Sequence, residues 1–172
     1  MSQNERVPYQ QARIVAEKFA AGLLAYGITD YQICGSLRRG RLTIGDIDVA
    51  MTTEAFEAAQ LIIPAITDSG EKTKGTKAKP SKIKVAYLDG MKIEFYVGPA
   101  EGFGATLLFC TGSPKFNIRC RYLATSMGWK LNQYGLWRAD GTMVCDCSNE
   151  ESIIATLNLG EAVIDPMKRE EG

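Results

Sequence analysis

Apolar residues recur at helical spacing near the start of the chain. Ile14, Val15, Phe19, Leu23 and Leu24 would face the core from a helix over residues 8–26, since side chains three and four positions apart lie on one side of a 3.6-residue turn. Pro8 suits the first turn of such a helix. The pattern then shortens. Residues 31–34 and 47–51 are compact apolar runs that read as strands, and a helix over residues 53–63 follows, with Thr53 as its cap. Residues 68–81 are rich in Gly, Lys, Thr and Ser, include Pro80, and read as a loop. Two further strands, 82–88 and 91–97, flank Asp89-Gly90, a strong hairpin signal. Gly98-Pro99 marks a boundary. Beyond it come helices over 101–110 and 114–127 and short paired strands at 129–131 and 136–138, with a turn at 139–141. Ser148 caps a last helix, with Glu151 completing a capping box. The end of the chain, from Pro166, reads as loose.

These elements predict an α/β (α+β) fold. A mixed, largely antiparallel sheet with helices behind it fills residues 1–98, and a smaller α+β lobe fills residues 99–172. The 172 residues are 45% apolar and 23% charged, ordinary for a globular protein. No apolar run approaches the ~20 residues of a membrane span. The N-terminus lacks the basic-then-apolar pattern of a signal peptide, which predicts a cytosolic chain.

Candidate chemistry is narrowed by what is missing. The chain has no histidine, and its five cysteines include no CxxC pair. That sets aside the usual zinc sites, histidine bases and Ser-His-Asp triads. Cys145 and Cys147 would share a strand face but are poorly placed for a disulfide, so all five cysteines read as free thiols. Chemistry must come from carboxylates, hydroxyls, Lys and Arg, and bound metals. Twenty basic residues balance twenty acidic ones, but the distribution is uneven. Residues 71–92 carry seven lysines against Glu71 and Asp89, and residues 113–138 carry Lys115, Arg119, Arg121, Lys130 and Arg138 with no acid. Two basic stretches beside carboxylates at strand positions suggest a phosphate-binding surface.

The central motif is Gly35-Ser36, nine residues, then Asp46-Ile47-Asp48. On a strand Asp46 and Asp48 project from one face, about 7 Å apart along the chain. Their mutual repulsion is relieved by a divalent cation, and magnesium takes such oxygen ligands together with substrate phosphates. Gly35-Ser36 supplies backbone N–H groups and a hydroxyl for a triphosphate. Arg38, Arg39 and Arg41 are candidates to pair with phosphate oxygens.

This stretch resembles the polymerase beta-like nucleotidyltransferase superfamily, and family X DNA polymerases in particular. Two further segments carry the resemblance. Thr111-Gly112-Ser113 with Phe116-Asn117 and Arg121 looks like the family's TGS…FN…R segment. Leu131-Asn132-Gln133-Tyr134-Gly135-Leu136 is similar to its LNxYGL strand near the template. The likeness runs from about residue 6 to 159. It implies a nucleotidyltransferase palm over residues 1–98 and a nucleotide- and template-binding lobe over residues 99–172. It also implies metal ligation and catalysis by Asp46, Asp48 and Glu94, with two Mg²⁺ ions or Mn²⁺ in their place. Gly35, Ser36 and Arg39 fall where the family binds the triphosphate. Gly112 lies at the turn under the sugar, Phe109 in the segment that guards against the ribose 2′-hydroxyl, and Asn117 at the minor-groove edge of the incoming base. Arg121 and Asn132 fall toward the template, and Lys72, Lys74, Lys77 and Lys79 would hold DNA phosphates.

Four departures stand out. Glu94 occupies a position that is normally aspartate. Cys110 replaces the second of two aromatics. Tyr9 stands where the family has an arginine, leaving that triphosphate contact either absent or supplied by Arg6. Pro8 lies only 27 residues before Gly35, so the resemblance leaves no space for the lyase and fingers regions of larger members. The expectation is a monomeric, template-directed DNA polymerase that takes dNTPs and gapped or nicked duplex DNA, without a membrane, for short-gap repair. The alternatives are a template-independent or RNA-modifying transferase, or a catalytically weak nucleotide- or DNA-binding module because of Glu94.

Overall fold

The computed structural model describes residues 6–73 and 84–170. A two-residue strand β1 (Val7–Pro8) leads into helix α1 (Tyr9–Ala25), then strand β2 (Tyr31–Ile33) and a short helix α2 (Gly35–Arg38). Strands β3 (Thr43–Ile44) and β4 (Asp46–Thr52) follow, then helices α3 (Thr53–Gln60) and α4 (Ile63–Ile66). Strands β5 (Ser69–Thr73), β6 (Lys84–Leu88) and β7 (Met91–Gly98) complete the main sheet, whose order is β2-β4-β7-β6-β5. Only the β4–β7 pairing is parallel. The sheet is therefore mixed and largely antiparallel, and the fold is α+β as the sequence predicts. Asp89 and Gly90 take positive φ of 49° and 79° and form the expected hairpin between β6 and β7.

The period of two along each strand sorts the central pair into two faces. Ile47, Val49 and Met51 of β4 and Ile93 and Phe95 of β7 are buried against α1 and α3. Phe95 is wedged between Phe19 and Phe56, with ring centroids 5.8 and 5.6 Å away. The opposite face presents Asp46, Asp48 and Ala50 beside Lys92, Glu94 and Tyr96.

That second face is covered in part by α5 (Phe103–Thr111). Cys110 packs there on Cys34 and Ala50. Helix α6 (Pro114–Ser126), the hairpin β8 (Lys130–Asn132) and β9 (Gly135–Trp137), and helix α7 (Glu150–Thr156) follow. Together with α5 they enclose a second apolar cluster around Leu108, Phe116, Leu136, Ile153 and Leu157.

Several local expectations are corrected. Val15, Phe19 and Leu23 are buried, but Ile14 and Leu24 are 65% and 62% exposed, because the buried stripe runs Ala12, Val15, Ala16, Phe19, Leu23 and leaves them to one side. Thr52, not Thr53, caps α3, its hydroxyl accepting the Ala55 N–H. Asn149, not Ser148, caps α7. The loop reading of residues 68–81 misses β5, which gains its backbone partners from β6. The described part of the C-terminal end is not loose. Residues Pro166–Glu170 form a 3₁₀ turn that buries Arg169 completely. Among the described residues no helix is long and apolar enough to cross a membrane, and the five cysteines are free thiols.

Candidate active site

The site is built on the one parallel strand pair. In its register Asp48 lies beside Glu94 and Asp46 beside Lys92, so neighbouring strands about 4.8 Å apart bring three carboxylates together. Asp48 is stitched to the Gly35-Ser36 turn through its carbonyl, which accepts the Cys34 N–H at 2.7 Å. Gly35 has φ +59°, and a Cβ there would fall 1.7 Å from Asp48 Oδ2. Only glycine lets the turn lie this close to the carboxylate.

Crowding sets the charge state. Burial, then the negative charges of Asp46 and Glu94, push the Asp48 carboxyl up to about 7, while a hydrogen bond from Tyr96 and the charge of Arg39 act the other way. A stability prediction arises here. The ordinary value is 3.8, so the metal-free folded protein keeps a proton that the unfolded chain releases. Stability should therefore fall as pH rises from about 4 to about 7. A full separation of roughly three units would be worth ~4 kcal/mol; for this half-buried group about 2–4 kcal/mol is expected. Asp48→Asn should remove that loss. Urea unfolding in chelator at pH 5 and pH 8 checks it: the variant should gain on the wild type only at pH 8.

Lys92 is the cation now shared by this cluster. Its Nζ lies 3.1 Å from Asp46 Oδ2 and 2.5 Å from Glu94 Oε1. Burial alone would lower its pKa, but the bonds to Glu94 and Asp46 outweigh that and raise it. Among the described residues no three acidic or thiol side chains converge on a single point. The donor set nonetheless suits a hard divalent cation. It offers carboxylate oxygens on one sheet face, and the chain has no histidine to favour a softer metal.

The turn after α5 lies against Arg39. Gly112 has φ +69°, and the Gly112–Ser113 peptide is cis. Arg39 donates to the Thr111 carbonyl, so it bridges the two glycine turns. Ser113 caps α6 by accepting the Phe116 N–H.

Residues 106–170 match the family model described as the DNA polymerase beta thumb. DNA polymerase lambda of Rattus norvegicus is 31% identical over 144 residues, which cover 74% of this chain and 24% of that protein. The DNA polymerase/3′-5′ exonuclease PolX of Bacillus subtilis (strain 168) is 28% identical over 177 residues, 99% of this chain and 30% of that protein. Together these matches support a family X DNA polymerase fragment. The chain spans less than a third of the length of these curated relatives.

The other residues expected to serve a family X site are placed as follows. Ser36 is half-buried beside Gly35, and its carbonyl accepts the Arg41 N–H at 3.0 Å. Asn117 is half-buried, with its amide donating to the Phe109 carbonyl at 2.8 Å. The Phe109 ring meets Tyr96 edge-on at 6.1 Å. Arg121 is exposed on α6. The Asn132 side-chain oxygen is engaged within its own hairpin, accepting from Tyr134 N and Trp137 Nε1. Lys72 lies on β5 opposite Val85; Lys74, Lys77 and Lys79 lie outside the described residues.

Arg38, one of the three arginines expected to pair with phosphate, donates to Thr111 Oγ1 and Glu150 Oε2, both at 2.7 Å. The other Glu150 oxygen holds the buried Arg169 at 2.7 Å, and the Arg169 carbonyl accepts from Ser113 Oγ at 2.9 Å. Sequence reasoning missed Glu150, Arg169, Lys92 and Tyr96. Lys92 and Tyr96 carried a signal, since each lies two residues from Glu94 and so shares its strand face.

Proposed function

We propose that this chain is a template-directed DNA polymerase that adds nucleotides to a primer 3′-hydroxyl, and that it serves short-gap repair synthesis. One observation carries the reading: the parallel register of β4 and β7 sets Asp48 beside Glu94 with Asp46 on the same face, and Asp48 lies against the Gly35 turn. Asp46, Asp48 and Glu94 would hold divalent magnesium, or manganese in its place. Two such ions would supply charge neutralisation of the triphosphate and activation of the primer hydroxyl.

The chain's own residues position the substrates. Ser36, Arg39 and the Gly35 backbone take the triphosphate and stabilise charge on the departing pyrophosphate. Gly112 leaves space beneath the sugar, and Phe109 packs beside it. Asn117 meets the incoming base, and Arg121 and Asn132 the template. Lys72, Lys74, Lys77 and Lys79 contribute sequence-independent phosphate contacts that weaken with salt. Residues 1–98 act as the palm and residues 99–172 as the lobe that presents the base pair.

A second reading has an observation in its favour. Lys92 already neutralises Asp46 and Glu94, as would suit a nucleotide- or DNA-binding module with weak catalysis. Separate lanes of dNTP and rNTP on a recessed primer-template, and on the bare primer, distinguish the readings. Addition that follows the template base supports the polymerase. Equal addition of all four nucleotides to the bare primer would move the assignment to a terminal transferase. Triphosphate binding with no addition in Mg²⁺ or Mn²⁺ would leave the binding module.

A further inference from the structure

A glutamate in place of an aspartate brings one more rotatable bond, and ordering a longer side chain costs more entropy. Glu94 is nevertheless held at both oxygens by its strand neighbours. Residues two apart share a face of β7, so Lys92 and Tyr96 flank it. Lys92 Nζ meets Oε1 at 2.5 Å, and the Tyr96 hydroxyl meets Oε2 at 3.3 Å. The two donors differ in kind. The lysine is a cation, and a divalent ion entering the cluster must compete with its charge. The tyrosine is a neutral donor.

In the strand register Asp48 lies beside Glu94 and Ala50 beside Tyr96, so the phenol shares the sheet face that carries both carboxylates. Its ring is fixed from behind, edge-on to Phe109 and packed in the cluster of Cys34, Ala50 and Cys110. A donor whose own rotamer is locked by packing is what holds a metal-binding carboxylate in place.

We propose that Tyr96 is a positioning residue that sets Glu94 for divalent-cation binding without competing for it by charge. The inference rests on the polymerase reading, which makes that carboxylate a cation ligand. Tyr96→Phe keeps the ring and its packing and removes only the hydroxyl. The test is direct Mn²⁺ binding to the full chain, read by the electron paramagnetic resonance of free Mn²⁺. Wild type, Tyr96→Phe and the Asp46→Ala/Asp48→Ala double variant are compared, with thermal unfolding to confirm folding. Loss of such an outer contact should weaken Mn²⁺ binding by about tenfold or more. Nucleotide addition should lose kcat in similar measure, with KM for dNTP unchanged. Wild-type Mn²⁺ affinity in a folded Tyr96→Phe protein overturns the inference and leaves the polymerase reading standing. Wild-type binding no tighter than that of the double variant overturns the reading and the inference together.

Discussion

Asp46→Ala and Asp48→Ala are each expected to reduce nucleotide addition by at least about a thousandfold while leaving the protein folded. The two carboxylates lie on the open face of β4, half-buried, whereas the packed face of that strand consists of Ile47, Val49 and Met51. Removing a carboxylate therefore opens no cavity in the core. Metal-assisted stabilisation of the transferring phosphoryl group is worth several kcal/mol, and each ~1.4 kcal/mol is tenfold in rate. Stability should move the other way. In the metal-free protein burial, then the charges of Asp46 and Glu94, push Asp48 up to about 7, so relieving that cost should raise the unfolding midpoint in chelator above neutral pH. Opposite signs for activity and stability are the mark of a site strained for function. Single-turnover addition beside a thermal melt checks both. A variant that kept more than a tenth of the wild-type rate would remove these residues from the catalytic role.

Glu150→Ala is expected to cost about 3–5 kcal/mol, the usual loss when one partner of a buried ion pair is removed. Glu150 is 8% exposed and Arg169 fully buried. Arg169 also donates to the Val163 and Ile164 carbonyls and lies over the Phe116 ring at 5.3 Å. Those contacts cannot neutralise its charge, so without Glu150 a guanidinium stays buried and uncompensated. Arg38 would lose the same carboxylate and keep Thr111 as its partner. The damage should reach the turn at Gly112, since Arg38 and the Arg169 segment hold it from two sides. Urea unfolding of Glu150→Ala against Glu150→Gln measures the effect, and the glutamine should recover part of the loss by keeping its hydrogen bonds. A change below about 1 kcal/mol would show that the pair contributes little.

The contrast between these two sites shows what the sequence could carry. Asp46 and Asp48 were legible because a local rule, the period of two on a strand, places them together beside a glycine turn. The Asp89-Gly90 hairpin was legible for the same reason. The Arg38–Glu150–Arg169 chain joins residues 112 and 19 positions apart, and nothing local marks it. An arginine near the end of a chain reads as a solvated surface residue until its partners are known. Strand β5 was hidden likewise: a Gly-, Lys- and Thr-rich stretch has little strand preference, and only the edge of β6 gives its backbone a ladder. Ile14 and Leu24 mislead in the opposite direction, because apolar character alone does not tell the centre of a helical stripe from its margin. The helix caps fell one residue from the expected positions, as they do when neighbouring Thr or Ser and Asn residues can both serve.

The central claim is that the carboxylates of β4 and β7 catalyse templated nucleotidyl transfer. The most direct measurement is single-nucleotide addition to a one-nucleotide-gapped duplex in Mg²⁺, with each dNTP tested opposite each template base and chelator as control. The account predicts that the complementary dNTP is added at each template base and that chelator abolishes addition. Binding of dNTP and DNA with no addition, in Mg²⁺ or in Mn²⁺, would contradict it.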